Sequence, residues 1–161
     1  MAYDAFLKID DVEGESTREG HEGEIEIYSF SWGASNPSTV GMGSGGGAGR
    51  VSISSFNFMK KTDKASPGLF QACCGGDHKD KATLTLRAAG GDSSVPYLKY
   101  EFENVFVESV QWSGSSGGDD RPTESVSLAF GKVTVTYTEQ ADTGDTGTPI
   151  VASWDQRTRA K

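Results

Sequence analysis

Residues 97–112 alternate more regularly than any other part of this chain, and that alternation limits what the chain can become. Leu98, Tyr100, Phe102, Phe106, Val110 and Trp112 share one parity, while Lys99, Glu101 and Glu103 take the other. A period of two belongs to a strand whose successive side chains point to opposite faces of a sheet. Val105 and Val107 make the middle apolar on both sides, which predicts a bend at Asn104. Such a strand needs partners, and the chain supplies them. Residues 5–10 place Ala5, Leu7 and Ile9 on one face; residues 81–88 do the same with Ala82, Leu84, Leu86 and Ala88. Residues 123–130 turn Val126, Leu128 and Phe130 inward, and Val133, Val135 and Tyr137 form a last strand after a tight-turn candidate at Gly131-Lys132. Residues 24–32 and 50–60 read as strands whose apolar face changes midway. Irregularities are therefore expected near Tyr28 and near Ser54-Ser55.

One helix is legible. After the strand carrying Phe56 and Phe58 comes Ser66-Pro67, then Leu69, Phe70, Cys73 and Cys74, then Gly75-Gly76. Ser66 is the preferred N-cap over Asp63, because Pro67 then falls where a missing N–H costs nothing. The four apolar residues form the docking stripe, and the glycines stop the helix. Several strands, turn signals between them and one short helix predict a mainly β chain, an antiparallel β-barrel with one short α-helix. The expected domain spans residues 1–138, with an extended glycine-rich loop at 33–49, and residues 139–161, which lack periodicity, read as a C-terminal tail.

Composition sharpens this. Only 30 of 161 residues are Leu, Ile, Val or Phe and the net charge is −8, a balance that by itself hints at disorder. The apolar residues sit in alternating runs, however, and the 21 glycines are concentrated in loops. An acidic surface argues against sequence-independent nucleic-acid binding and against docking on anionic membrane. Cys73 and Cys74 are adjacent and cannot easily bridge. No apolar run is long enough for a membrane helix, and the N-terminus lacks the basic and apolar regions of a cleaved secretory signal. Export, if it occurs, is expected by a route that needs no such signal.

The search for chemistry returns weak candidates. Gly41-x-Gly43-x-x-Gly46 matches a dinucleotide-binding pattern, but a strand follows it where a helix is required. Cys73, Cys74 and His78, with Asp77 or His21, fit no zinc spacing. His21 with Glu22, Glu24 and Ser16 has no spacing that aims a base at a nucleophile, so His21 reads as a residue that fixes a loop. Lys60, Lys61 and Lys64 form the densest basic cluster and read as a solvated or subunit-contact surface. No cofactor, no metal and no catalysis are expected. What remains is a structural or binding protein.

The motifs resemble one family in order and spacing. They are Phe6-Leu7-Lys8-Ile9, Gly14-Glu15-Ser16, His21 and Ile25-x-Ile27-x-Ser29-x-Ser31-Trp32-Gly33. Phe56-x-Phe58-x-Lys60-x-x-Asp63-x-Ala65-Ser66-Pro67-x-Leu69 follows, then Pro122-Thr123-Glu124 through Lys132-Val133 to Tyr137. From about Tyr3 to Tyr137 the chain resembles the Hcp family (haemolysin-coregulated protein) of bacterial type VI secretion. The resemblance implies six-membered rings that stack into a hollow tube, and contacts with sheath, spike and secreted effector proteins. It implies no nucleic acid and no membrane insertion, and passage from the cytoplasm to the outside without a cleaved signal. It also implies that the loop carrying Val40, Gly41, Met42, Gly43, Ser44 and Arg50 contacts the next ring. Physics favours such an assembly, because a ring that continues the sheet between copies covers edge strands and encloses an aqueous lumen lined by small and polar residues. The competing expectation is a monomeric β-barrel that binds a small ligand or carbohydrate against Tyr28, Phe30, Trp32 and Trp112.

Overall fold

The sheet is built around its longest strand. In the computed structural model, which describes residues 3–38, 40, 41, 43, 49–89, 95–118, 120–140 and 146–161, β8 (Pro96–Ser113) runs through the centre. It is flanked by β7 (His78–Ala88), β9 (Thr123–Ala129) and β10 (Lys132–Tyr137), and β1 (Tyr3–Ile9), β2 (Ile25–Ile27), β3 (Ser29–Ser31) and β6 (Phe56–Lys61) extend the sheet. The antiparallel path is β2-β1-β7-β8-β9-β6-β3. No ladder joins its two end strands, so the hydrogen-bonded path is open. Yet β2 and β3 are consecutive, separated by Tyr28 alone, whose N–H donates to the Met59 carbonyl at 3.1 Å. One stretch thus lies against β1 with its first half and against β6 with its second, and it curls the sheet round the core.

Asn104 explains how β8 serves so many partners. Residues 98–103 pair with β10 and residues 106–113 with β9, while β7 runs along the opposite edge. At the changeover Asn104 takes φ 56°, the left-handed region that asparagine tolerates best among larger residues. This shifts the inward parity by one. Phe102 is buried before it, but Val105 and Val107 after it, and Phe106 is only half-buried. A second irregularity between Val107 and Ser109 restores the first parity. The expected tight turn at Gly131 is corrected by the same geometry. β9 and β10 do not pair with each other; Gly131 passes over Asn104, donating to the Glu103 carbonyl at 2.9 Å.

The helix α1 (Ser66–Gly75) docks over the sheet beside β8. Its buried residues are Ser66, Leu69 and Ala72, spaced three apart, rather than the expected Leu69-Phe70-Cys73-Cys74 stripe. Phe70 and Cys74 are exposed, and Phe70 makes an edge contact with Trp112 at 5.7 Å. Ser66 is not the N-cap either: Ala65 holds that position, and the Asp63 carboxylate accepts from the Ala65 N–H at 3.0 Å. Gly76, at φ 70°, ends the helix, and the Asp77 N–H returns to the Ala72 carbonyl.

The largest departure is at the C-terminus. Residues 139–161, read as a tail, contain β11 (Ile150–Asp155), which pairs along its whole length with β10. Ile150, Ala152 and Trp154 alternate, but the run is short, and its flanking residues carry no helix or strand period. The pairing comes from β10, not from local propensity.

Candidate functional site

Two short arms carry the glycine-rich loop away from the main sheet. β4 (Ala34–Ser35) and β5 (Ser52–Ile53) form a two-stranded ribbon of their own. Ser54 locks its base: its hydroxyl accepts from the Gly33 N–H at 2.8 Å and donates to the Gly33 carbonyl at 3.2 Å. This is the irregularity expected at Ser54-Ser55, and it moves the chain from one sheet to the other. Farther out, the Gly49 N–H donates to the Pro37 carbonyl at 2.9 Å. A Cβ at Gly49 would sit 2.3 Å from that oxygen, so the two arms approach closely only because residue 49 is glycine. Beyond them Val40 is 80% exposed, and Gly41 and Gly43 take φ 95° and 93°. Met42 and Ser44 lie outside the described residues. Arg50, at the return of the loop, is exposed.

Between the ribbon and β10–β11 lie two adjoining clefts. One, of about 300 Å³, is apolar, lined by Trp32, Val51, Ile53, Val133, Val135 and Trp154 among others. The second, of about 400 Å³, is lined by Asn36, Gly49, Arg50, Val51, Trp154 and Arg159. Trp154 stands in both, with its indole Nε1 buried and unbonded. Arg159 is held at φ 58° by a turn that the sequence did not announce. Its N–H donates to the Asp155 carbonyl at 2.7 Å, and the Asp155 N–H donates to the Ala160 carbonyl at 2.8 Å. The Arg157 and Thr158 N–H groups donate to the Asp155 carboxylate. The Arg157 N–H lowers the pKa of this carboxyl more than any other influence on it. Trp154 and Arg159 were missed by sequence reasoning, and the Ile150-Ala152-Trp154 alternation was the signal available.

The other sequence candidates fall elsewhere. His21 and Glu24 do meet: Nδ1 bonds Glu24 Oε2, and the ring stacks on Phe6 at 4.4 Å. Ser16 is buried nearby, but its hydroxyl accepts from the Arg18 N–H, not from His21. Together with the Ser16, Gly14 and Gly23 backbone bonds, this cluster pins the loop between β1 and β2. Cys73 donates to the Glu108 carbonyl, Cys74 is exposed, and His78 packs on Phe106. Among the described residues, no three His, Cys, Asp or Glu side chains gather as metal ligands would.

Lys60 overturns the reading of the basic cluster as surface. It is fully buried, donating to Asp63 Oδ1 at 2.6 Å, Ser66 Oγ at 2.9 Å and Glu124 Oε2 at 3.2 Å. Ser66 in turn donates to the buried Glu124. The N-terminal end of α1 lies at this anionic pair, with the Ser66 hydroxyl bonded to Glu124 and the Ala65 N–H to Asp63. Lys64 behaves as expected of the cluster, reaching Glu13 at the surface.

The aromatics proposed for a ligand site do not converge. Trp32 packs edge-on to Tyr100, Phe102 and Phe130, and Phe30 lies on Phe56 and Tyr100. Burial there raises the Tyr100 phenol above its ordinary pKa. Tyr28 is exposed beside Glu15 and Lys61, and Trp112 stands with Phe70.

Comparison with known proteins places this arrangement. The profile of the family described as "Type VI secretion system effector, Hcp" matches residues 6–137. A protein named hcp1 from Pseudomonas aeruginosa (strain PAO1) is 45% identical over 158 residues, covering 98% of this chain and 97% of that one. A solved structure titled as that of a type six secretion system protein superposes with a TM-score of 0.93 at 34% identity, covering 99% of each chain. The structure of Hcp1 from Salmonella typhimurium does so with a TM-score of 0.78 at 36% identity, again over 99% of each.

Proposed function

Since the chain belongs to the Hcp family of type VI secretion, we propose that it is a tube subunit of such a machine, forming hexameric rings that stack into a hollow tube. The observation that carries this reading is the likeness in sequence over 98% of the chain and in fold over 99% of it. On this reading the chain's work is self-association and the passage of effectors, with the sheath and spike of the machine as outer partners. It leaves the cytoplasm in the assembled tube rather than through a signal-dependent route. Among the described residues, no helix is long and apolar enough to cross a membrane.

Two features support self-association. Among the described residues β11 forms a ladder with β10 alone, beyond one bridge from Asp155 to Ala160, and Ile150 and Val151 on it are 70% and 60% exposed. A long apolar edge left bare invites aggregation, whereas a neighbour in a ring covers it. The second feature is the protruding loop. In this proposal Val40, Gly41, Met42, Gly43, Ser44 and Arg50 meet the next ring, and the ribbon β4–β5 sets the angle at which they do so. Binding of a small ligand by a monomer is the weaker reading, because Tyr28 and Trp32 line separate clefts and Trp112 stands with Phe70. Electron microscopy of the purified chain tests the proposal. Six-fold rings with a central hole are expected; featureless particles of monomer size would refute it.

A further inference from the structure

The two clefts between the ribbon and β10–β11 differ in character but share a wall. Val51 and Trp154 line both. On one side the border is apolar: Trp32, Ile53, Val133 and Val135 surround about 300 Å³. On the other, Arg50 and Arg159 stand with Asn36 around about 400 Å³. Neither arginine makes an ion pair among the described residues. Among the same residues no acidic side chain lines either cleft, in a chain whose net charge is −8. At the shared wall the indole N–H of Trp154 is buried and has no acceptor.

The strand registers explain how these residues meet. Trp154 lies opposite Val133 and Ala152 opposite Val135, so β10 and β11 present one apolar floor. Ile53 lies opposite Ala34 on the ribbon, which supplies the facing wall. The turn after β11 then brings Arg159 to the cleft that Arg50 lines from the end of the loop. Two features of the result are unfavourable in the empty molecule. Guanidiniums that share a cleft repel each other, and neither can lose its proton. A buried N–H without an acceptor has given up water for nothing. An apolar cleft with a few convergent polar groups is the usual make-up of a small-molecule site. A carboxylate answers both unfavourable features, because its oxygens accept from arginine forks and from an indole N–H. A phosphate would suit the forks too, but its second negative charge meets the field of an acidic chain.

We propose that this paired cleft binds a small molecule with an apolar body and a single carboxylate, an aryl- or alkyl-substituted short-chain acid. The body lies against Trp32, Ile53, Val133 and Val135. The carboxylate meets Arg50 and Arg159, with Asn36 and the Trp154 N–H as neutral donors. The proposal adds a ligand site to the subunit and does not rest on the tube reading.

The test uses the full-length chain in dilute solution, with phenylbutyrate as the probe. Tryptophan emission and titration calorimetry read the binding. Two of the three tryptophans line the apolar cleft, so a saturable change in emission is expected. Phenylbutanamide has the same shape without the charge and should bind at least about tenfold more weakly, because hydrogen bonds to charged groups are the stronger ones. Raising the salt should weaken the acid and leave the amide unchanged. These comparisons need no variant. R50Q/R159Q should bind acid and amide alike. Trp154→Phe keeps an aromatic ring, drops the N–H, and should weaken the acid by about threefold to tenfold. The absence of any saturable change would overturn the proposal. So would equal binding of acid and amide by the unaltered chain, or undiminished binding of the acid by R50Q/R159Q. A short peptide ending in leucine that binds where phenylbutyrate does not would overturn the assignment to a small acid. The number of subunits per ring is read separately by native mass spectrometry, so failure of this proposal and failure of the tube reading are distinct results.

Discussion

The foot of the helix and the base of the glycine-rich loop both concentrate charge, and they treat it in opposite ways. At the foot, Lys60, Asp63 and Glu124 are withdrawn from solvent and joined through Ser66. At the loop base, Arg50 and Arg159 face solvent without an ion-pair partner among the described residues. The first arrangement is closed within one chain, with only Glu124 Oε1 buried and unbonded among its carboxylate oxygens; the second lies open to solvent. A buried ion is costly unless it is matched, so the charges of the foot must have been satisfied for the monomer to fold. An exposed ion costs little alone and gains when a partner removes it from water, so the charges of the loop base report on association. Residues of the same type thus hold the subunit together in one place and stay open to solvent in another.

That contrast can be broken by experiment. The largest effect on stability is expected from Lys60→Ala, which strands Glu124 and Asp63. Chemical denaturation should show a loss of about 3–5 kcal/mol. If Lys60 were a solvated surface lysine, the change would stay within about 0.5 kcal/mol. The double replacement K60M/E124L removes both ions with similar volume and should recover most of that loss. Gly49→Ala drives a methyl group into the Pro37 carbonyl at the arms of the loop. We expect weaker stacking with a global stability cost of about 1 kcal/mol or less, because the ribbon lies outside the main core. R50E/R159E should change subunit stability by no more than about 0.5 kcal/mol; a large loss of stability would erase the distinction between the two regions.

The smallest effect concerns Glu101 on β8. Burial pushes its carboxyl pKa up, but the hydrogen bonds and charges of Lys99 and Lys81 outweigh this and hold it below the ordinary value of 4.5. A depressed folded value means that its stabilisation is present above about pH 4.5 and is lost as pH falls through the lower folded value. Being a partly exposed pair, it contributes less than about 1 kcal/mol. Acid titration of stability should therefore be slightly shallower in Glu101→Gln, and an unchanged slope would show that the lysines do not act on it.

Much of the fold was legible because the strands carry their own period. Ala5, Leu7 and Ile9, or Leu84 and Leu86, face the core as alternation requires. The breaks at Tyr28 and Ser54-Ser55 and the bend at Asn104 showed as parity changes. Three things did not show. Lys60 looked like a surface residue because its partner Glu124 lies 64 residues away and only the β6–β9 register brings them opposite. β11 looked like tail because its strand state is imposed by β10. Of the candidate site, the loop and Arg50 were visible as glycine composition and charge. Trp154 and Arg159, which complete the cleft, are placed by that late strand and the turn after it. Local pattern reveals faces; it does not reveal which distant elements share a surface.

Association of this chain with itself in a closed ring is tested most directly by native mass spectrometry of the unaltered protein. A dominant species of six times the chain mass is expected at moderate salt, persisting on dilution. A monomer across a wide range of concentrations would contradict it.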